Sequence, residues 1–442
     1  MTDTMIKQMP KYELMQDSGF EWIGDIPSSW NLLSVKQIYR LVMEESGKNH
    51  SLELLSVYSD IGVRPRAELE EKGNKASSTD GYWLVRKGDF VVNKLLAWMG
   101  GLGLSEYDGV TSPAYDVLRP RKEICGSYFN YLFRSPACTS ELKKHSRGIM
   151  DMRLRLYFDK FGVVKVPFPS LKEQKAISTF LDKKTSKIDE AIAIKQKQIE
   201  LLKERKQIII QQVVTRGLNP DVSMKDSGVD WIGEIPEHWE LKKVKHVTSK
   251  IGSGVTPTGG GTSYIDEGIP LLRSQNIHFD RIDLTDVARI SEKTHKGMSN
   301  SKVMYGDVLL NITGGSIGRC YYVFAKNEMN VNQHVCILRP NDKIKTVFLN
   351  SVIASKVGQG QIWFFQQGGG REGLNFQALK NFMIPLPPKA EQSGIVDFVN
   401  EVDKKISGAI RAHQIQIANL KEYKTTLINS AVTGKIKVTE LA

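Results

Sequence analysis

Cysteine is scarce and unpatterned. Cys125, Cys138, Cys320 and Cys336 are the only four in 442 residues, with no Cys-x-x-Cys spacing and no histidine pair nearby. That argues against a disulfide framework and a thiolate metal site, and it predicts reduced, buried thiols in a cytosolic chain. No stretch approaches the ~18 apolar residues that suggest a membrane span, and residues 1–10 lack the apolar core of a secretory signal. The expectation is a soluble, unexported, cytoplasmic protein. Phosphate-cradling chemistry is missing too. No G-x-x-x-x-G-K-[ST] loop occurs, and Gly434-Lys435 lacks both the upstream Gly and the following Ser or Thr. The eight histidines are scattered, without His-Glu-x-x-His, so no metal site is expected.

What the chain does contain is a repeat of itself. Asp17-Ser18-Gly19-Phe20-Glu21-Trp22-Ile23-Gly24-Asp25-Ile26-Pro27 with Trp30 returns as Asp226-Ser227-Gly228-Val229-Asp230-Trp231-Ile232-Gly233-Glu234-Ile235-Pro236 with Trp239. Val35 matches Val244 at an offset of 209, whereas Leu54-Leu55 matches Leu271-Leu272 at 217. The jump places an insertion of about eight residues in the Gly-rich run 252–263, which reads as a loop. Gly88-Asp89 then matches Gly306-Asp307, Leu118-Arg119-Pro120 matches Leu338-Arg339-Pro340, and Glu173-Gln174 matches Glu391-Gln392. The period is far longer than that of a solenoid, so this is a duplication of a whole unit. Lys and Arg outnumber Asp and Glu by 61 to 49, which points to a polyanionic partner.

Within each copy the texture changes once. Leu52–Val57, 90–92 and 115–118 carry strand signals between Gly, Pro and Asn/Asp punctuation, and 124–133 and 139–145 read as short helices. In the second copy 270–273, 307–310 and 334–338 read as strands. After Pro167-Phe168-Pro169 and Pro385-Leu386-Pro387-Pro388 come long helical stretches. Ile177, Leu181, Ile188, Ile192, Ile199, Leu202 and Ile209 form a helix-packing seam in the first. Ile395, Val399, Val402, Ile406, Ile410, Ile417, Leu420 and Leu427 form one in the second. About 40 residues span roughly 60 Å, and the economical arrangement packs the two helices on each other. Gly217 and Gly434 stop them. The fold class is therefore α+β, two tandem repeats that each place a globular α/β domain before a long helix. The boundaries are an N-terminal segment 1–21, domain 22–166, helix 167–217, connector 218–225, domain 226–384, helix 385–435 and tail 436–442.

Two catalytic patterns nearly occur. Pro220-Asp221 with Glu240-Leu241-Lys242 fits a loose metal-dependent nuclease pattern. Such a match is cheap in a chain that is 25% charged, and the first repeat has Asn31-Leu32-Leu33 there. Ser112-Pro113-Ala114-Tyr115 approaches the Pro-Pro-Tyr signature of adenine methyltransferases without its central Pro or a glycine loop for the cofactor. Polar residues inside the globular segments fit recognition better. The first offers Tyr58, Ser59, Arg64, Arg66, Asn93, Lys94, Trp98, Ser112, Tyr115, Arg147, Arg153 and Arg155. The second offers Arg273, Ser274, Asn276, His278, Asn311, Thr313, Arg319, Asn332, Gln333, His334, Arg371 and Asn375. Arg matches guanine and Asn or Gln matches adenine, while Ser, Thr and Lys suit phosphates. Asn93 and Asn311 share a repeat position and could equally be structural caps, and the Trp pairs suit core anchors.

Order and duplication together carry a resemblance across nearly the whole chain. Trp-Ile-Gly-x-Ile-Pro-x-x-Trp occurs twice, followed by Leu271-Leu272-Arg273-Ser274-Gln275-Asn276-Ile277 and Gly306-Asp307-Val308-Leu309-Leu310-Asn311-Ile312-Thr313-Gly314. Asn332-Gln333-His334 and the Pro-x-Pro…Glu-Gln…Ile helix starts complete the pattern. It is similar to the DNA-specificity (S) subunit of type I restriction–modification enzymes. The resemblance implies two target-recognition domains, each reading half of a bipartite, asymmetric site in double-stranded DNA. It also implies two helices packed as an antiparallel coiled coil that set the spacing and dock two methyltransferase (M) subunits. Restriction (R) subunits would join them, and S-adenosylmethionine, ATP and Mg²⁺ would be held by partners, leaving this chain non-catalytic and without a cofactor. The first segment departs from the pattern, with Leu54-Leu55-Ser56-Val57-Tyr58-Ser59-Asp60 in place of the Leu-Leu-Arg-Ser-Gln-Asn-Ile form. Contacts therefore do not transfer between the domains. A self-contained nuclease-methyltransferase and a coiled-coil scaffold without a nucleic-acid role remain open alternatives at this point.

Overall fold

The structure, a computed structural model, describes every residue except 1–5, 7, 69–77, 150–152, 258, 260, 262–263, 367–372 and 441–442. The chain forms two compact units, Met1–Gln196 with His413–Ala442, and Lys197–Ala412. The division falls inside two long helices, Leu171–Arg216 and Lys389–Val432, rather than at the changes of texture near 167 and 385. Each unit holds the start of one helix and the end of the other, because each half-helix buries its stripe with that unit's core. No described helix is long and apolar enough to cross a membrane.

Local chemistry fixes where the central helix, Leu171–Arg216, begins and ends. Ser170 and Glu173 form a capping box: the Glu173 amide donates to Ser170 Oγ (3.3 Å), and Glu173 Oε2 accepts from the Ser170 amide (3.2 Å). No Gly or Pro interrupts the 46 residues of the helix, and Gly217 ends the run at φ +73°. The C-terminal helix, Lys389–Val432, ends the same way at Gly434, φ +74°.

In the first unit a four-stranded antiparallel sheet runs in the order Tyr39–Val42, Tyr115–Pro120, Phe90–Asn93, Leu102–Leu104. One face packs Tyr39 and Phe90 against Phe129 and Phe133 of the helix Gly126–Arg134. The other face meets the hairpin of Leu55–Tyr58 and Gly62–Pro65 through Leu55, Val57, Val63, Val91 and Val117. The strand Lys165–Phe168 returns to pair with Asn31–Ser34. The second unit repeats this order with Thr248–Ser253, Val335–Pro340, Val308–Asn311 and Cys320–Tyr322, and closes by pairing Glu240–Lys243 with Met383–Leu386. It adds a three-stranded mixed sheet of Ala288–Ile290, Ile269–Leu272 and Asn330–Val331.

The residues that repeat in sequence turn out to be fastenings. Asp89 takes Arg119 Nε and Nη2 at 2.9 and 2.8 Å, and Asp307 takes the same atoms of Arg339 at 2.7 and 2.9 Å. Each carboxylate also accepts a turn amide, from Arg86 (2.9 Å) or Met304 (2.7 Å). The glutamate of each Glu-Gln pair accepts the indole N–H of the unit's buried tryptophan, Trp30 to Glu173 at 3.1 Å and Trp239 to Glu391 at 2.9 Å. The glutamine, wholly enclosed, ties the helix start to the domain. Gln174 accepts from the Cys125 amide (2.9 Å) and Gln392 from the Lys345 amide (2.8 Å).

The helix-ending glycines close the same tryptophans from the other side. A Cβ on Gly434 would lie 2.3 Å from Pro27 Cδ and 3.1 Å from Trp30, and one on Gly217 would lie 3.1 Å from Trp239. In the first unit Trp30 therefore touches the start of one helix at Glu173 and the end of the other at Gly434, while Lys424 meets Asp189 at 2.7 Å between them. That order makes the pairing antiparallel. The second unit repeats it with Glu391, Gly217 and the Lys206–Asp403 pair.

Three sequence boundaries shift. Among the described residues the N-terminal segment 1–21 is not separate, since Met15–Asp17 pairs with Asp25–Pro27 across a turn that Gly24 makes at φ +68°. The connector 218–225 runs into the equivalent strand Met224–Asp226, which pairs with Glu234–Pro236. The described part of the tail is docked, with Ile436 and Val438 buried and the Lys437 amide donating to Pro10 O at 2.7 Å.

Candidate nucleic-acid interface

In the first unit the candidate residues lie on the hairpin of Leu55–Tyr58 and Gly62–Pro65, at the paired ends of Phe90–Asn93 and Tyr115–Pro120, and on the segments that follow them. The hairpin turn at Tyr58 and Ser59 is gripped by Arg134, a residue the sequence did not single out. Its guanidinium donates to Ser59 O (3.0 Å), Asp60 O (2.8 Å) and Leu102 O (3.1 Å). Burial lowers the pKa of Arg134. Arg64, opposite Ser56 in the hairpin, lies 6.0 Å over the Tyr107 ring. Arg66, half-buried, follows at the end of the hairpin.

Lys94 organises the second group. It pairs with Asp116 at 3.2 Å and donates to Pro113 O at 3.0 Å, and its own carbonyl accepts from the Leu156 amide. Burial raises the pKa of Asp116 and Lys94 counters it. Ser112 accepts the Ala114 amide (3.2 Å) in a turn, and Tyr115 sits opposite Asn93 in the sheet. Arg147 and Arg155 bridge each other through their backbones, leaving both side chains and that of Arg153 exposed, with Arg147 3.7 Å from Asp159. Trp98 donates to Leu95 O (3.1 Å), and Lys143 sits 4.7 Å above its ring.

In the second unit the polar residues form two hydrogen-bonded groups, one around Asn311 and one around His334. Asn311 donates to Ser274 O (2.8 Å) and Ser316 Oγ (3.2 Å), and Arg273 lies 5.5 Å over the Tyr264 ring. Thr313 Oγ1 is 2.6 Å from His334 Nδ1, His334 Nε2 is 3.0 Å from Gln333 Nε2, and Thr256 donates to Gln333 Oε1. Arg319 follows a tight turn at Gly318, its carbonyl accepting from the Asn311 amide. The segment after 372 joins the group through a bridge between Thr313 and Gly373. His278 sits apart on the turn between Ile277 and Ile282. Arg371 lies outside the described residues.

Five of the candidate asparagines bond backbone groups. Four of them, Asn93, Asn276, Asn311 and Asn332, are buried rather than presented to a groove, which corrects their reading as base readers; Asn375 stays exposed. Asn276 is buried, accepting from the Arg273 amide and donating to Asp283 O, both at 2.9 Å. Asn375 caps its helix by accepting the Ala378 amide (2.7 Å). Asn93 accepts from the Leu95 amide and Asn332 from the His334 amide, each at 3.1 Å, and both are buried. Asn311 is fully enclosed. Asparagine suits tight turns and groove edges alike, so only the fold separates the two uses.

Along the helices, Ile177, Leu181, Ile188, Ile199, Ile395, Val399, Ile406 and Leu427 are buried. Ile192, Leu202, Ile209, Val402, Ile410, Ile417 and Leu420 are half-buried, and Ile210 is buried more deeply than Ile209. The nuclease-like residues do not assemble. Glu240 pairs with Lys242 at 2.9 Å within the strand Glu240–Lys243, whereas Asp221 lies in a turn made with Asn219. Among the described residues no group of His, Cys, Asp and Glu could hold a metal ion.

Known proteins agree with this architecture. The family described as "Type I restriction modification DNA specificity domain" matches residues 67–204 and 236–417, more than half of the chain. The chain is 27% identical over 373 residues to the type I restriction enzyme MjaVIII specificity subunit of Methanocaldococcus jannaschii, covering 81% of this chain and 83% of that one. It is 28% identical over 262 residues to the EcoBI specificity subunit of Escherichia coli, a match spanning 55% of this chain and 54% of the relative. Two solved structures share the fold at 17% identity. One, from work on assembly and conformational transition of a type I R-M system, has a TM-score of 0.69 over 92% of this chain and 98% of that one. The HsdS subunit from Thermoanaerobacter tengcongensis has a TM-score of 0.52 over 95% of this chain and 100% of its own. With two matched regions, one in each repeat, the chain belongs to the family of type I restriction modification DNA specificity domains.

Proposed function

We propose that this chain is the non-catalytic specificity subunit of a type I restriction–modification complex and acts on DNA in the cytoplasm. The observation that carries the reading is one frame built twice with different loops. The Asp–Arg pair, the Trp–Glu bond and the Gln tie recur in both units, while the polar loops beside them differ. Each unit then reads its own half of a bipartite, asymmetric site through base edges, with basic residues on phosphates making binding salt-dependent.

The two long helices set the gap between half-sites and provide the docking face for two methyltransferase subunits, which restriction subunits join. The central helix has 46 residues, a length of about 69 Å, ample for readers one DNA turn apart at roughly 34 Å. S-adenosylmethionine, ATP and Mg²⁺ belong to the partners, whose methyltransferase pocket receives the target adenine flipped from the stack. Mapping methylated adenines across the host genome tests the reading. The expected result is one two-part motif with a fixed gap, lost on deletion of this chain alone. Shortening both helices by one heptad, about 10 Å, should change the gap and leave both half-sites unaltered. Methylation by the purified chain without partners, or a motif that survives its deletion, would refute the assignment.

A further inference from the structure

One exposed side chain in the second unit is held at both atoms of its amide. Gln333 Oε1 accepts from the Thr256 hydroxyl, and its Nε2 donates to His334 Nε2 at 3.0 Å. That places the His334 proton on Nδ1, which donates to Thr313 Oγ1 at 2.6 Å. The His334 amide is fixed in turn by Asn332 Oδ1 at 3.1 Å. A carboxamide has two N–H donors and two oxygen lone pairs. Thr256 takes one lone pair and His334 takes one N–H, so one of each is left at the exposed end. Turning the amide over exchanges the two partners and leaves the same remainder.

Nor do these supports belong to the repeated frame. Thr256 comes from the loop inserted in the second copy at 252–263. By the offset of the Leu-Arg-Pro match, the first copy has Ser112, Pro113 and Ala114 where the second has Asn332, Gln333 and His334. There Pro113 offers only a carbonyl, already taken by Lys94 at 3.0 Å. Asn332-Gln333-His334 belongs to the pattern that resembles other specificity subunits, but the first unit lacks it and Thr256 comes from a loop only the second copy has. Within this chain the arrangement is therefore confined to one unit.

We propose that Gln333 is the adenine-reading side chain of the second unit, with His334 and Thr256 as its positioning residues. One donor beside one acceptor complements the N6–H and N7 of adenine in the major groove. Guanine shows two acceptors there. Because the amide is oriented before DNA arrives, binding does not have to order it. The inference rests on the proposed function and names a specificity residue within it.

The test selects bound duplexes from a randomised library, using the full chain assembled with its methyltransferase subunits. The wild type should select a two-part motif with an invariant A·T pair in one half. Gln333→Ala should lower discrimination at that one pair by about 5- to 150-fold, the range for one bidentate contact, and leave every other position intact. Gln333→Glu, which keeps acceptors and loses the donor, should move the preference there from adenine toward cytosine. His334→Ala should weaken the same position by less. An unchanged motif in Gln333→Ala would overturn the proposal. So would loss spread over the whole half-site, which would assign Gln333 a structural role. If the wild type selects no two-part motif, the specificity-subunit reading falls first and this one with it.

Discussion

Replacing Asp307 by alanine should loosen the second unit more than replacing Asp89 loosens the first. Asp307 is 0% exposed, and its oxygens accept from Arg339 Nε (2.7 Å), Arg339 Nη2 (2.9 Å) and the Met304 amide (2.7 Å). Alanine removes all three and leaves a guanidinium whose remaining partner among these contacts is Lys302 O at 3.2 Å. Breaking a buried pair by removing one member costs roughly 3–5 kcal/mol. The Arg339 side chain is 21% exposed and can draw on water, so about 3 kcal/mol is expected. Asp89 is similarly enclosed, but Arg119 also donates to Glu44 at 2.8 Å. One charge-assisted bond is worth about 1.5–3 kcal/mol, and its survival should hold the loss from Asp89→Ala near 2 kcal/mol. Adding Glu44→Ala should remove that protection.

Native-state hydrogen exchange reads each unit separately, since opening free energies are local. The amides to follow are those of Val308–Asn311 and Val335–Pro340 in one unit, and of Phe90–Asn93 and Tyr115–Pro120 in the other. Equal losses from the two substitutions, or a loss below about 1 kcal/mol for Asp307→Ala, would refute the reasoning. The consequence reaches the candidate site. The strand that follows Asp307 ends at Asn311, two residues before Thr313, and the strand that ends with Arg339 and Pro340 begins just after His334. A weakened clamp should therefore lower protection at the polar loops too.

Other expectations follow from single contacts. Gly434→Ala adds a Cβ 2.3 Å from Pro27 Cδ at φ +74°, so it should cost more than the ~1–2 kcal/mol of left-handed strain alone. Gly217→Ala, whose nearest neighbour would be Trp239 at 3.1 Å, should cost less. Comparing their denaturant midpoints checks the order, and the reverse order would discredit the packing described. Burial pushes the Cys320 and Cys336 thiols up to about 12 and Cys138 higher still. An unfolded thiol titrates near ~8.5, so above that pH the native state keeps protons that the unfolded chain releases. Their stabilisation is complete below ~8.5 and is lost as pH rises toward about 12. Alkylation of the native protein at pH ~8.5 should enter at half-exposed Cys125 and spare the other three. Rapid labelling of Cys320 or Cys336, read by mass spectrometry, would contradict their burial.

Much of the architecture was legible because the chain carries its own comparison. The fastenings are identical in the two copies, so aligning the copies marks them without a structure. The central helix was legible from composition, since Leu171–Arg216 has neither Gly nor Pro, and the C-terminal one from its apolar spacing despite Gly394 and Gly408. Their seam was readable only to within a residue. Ile208, Ile209 and Ile210 are equally apolar, and only Ile210 is buried, because local helix twist decides which of three neighbours faces inward. The joining of Gly434 to Trp30 was illegible, since nothing local in either segment records a contact across 404 residues. The same holds for Thr256, which sits in a glycine-rich run that reads as a plain loop and becomes informative only beside Gln333.

The asparagines show where residue type misleads. A polar side chain can satisfy a backbone amide or reach a base, and composition is silent about which. The duplication supplies a criterion that composition lacks. Asp89 and Asp307, Arg119 and Arg339, and Gln174 and Gln392 keep both identity and bonding, so their polarity serves the frame. Asn93 and Asn311 keep identity and burial but not bonding: the first accepts the Leu95 amide, while the second donates to Ser274 O and Ser316 Oγ. They belong to the frame at a point where its loops begin to diverge. Gln333 has no counterpart at all, and it alone in its network presents an exposed amide already fixed in place. A chain that reads two different half-sites must vary residues of this last kind while holding the first kind constant. Exchanging loop residues between the units should therefore change the sequence read, whereas exchanging fastenings should change nothing.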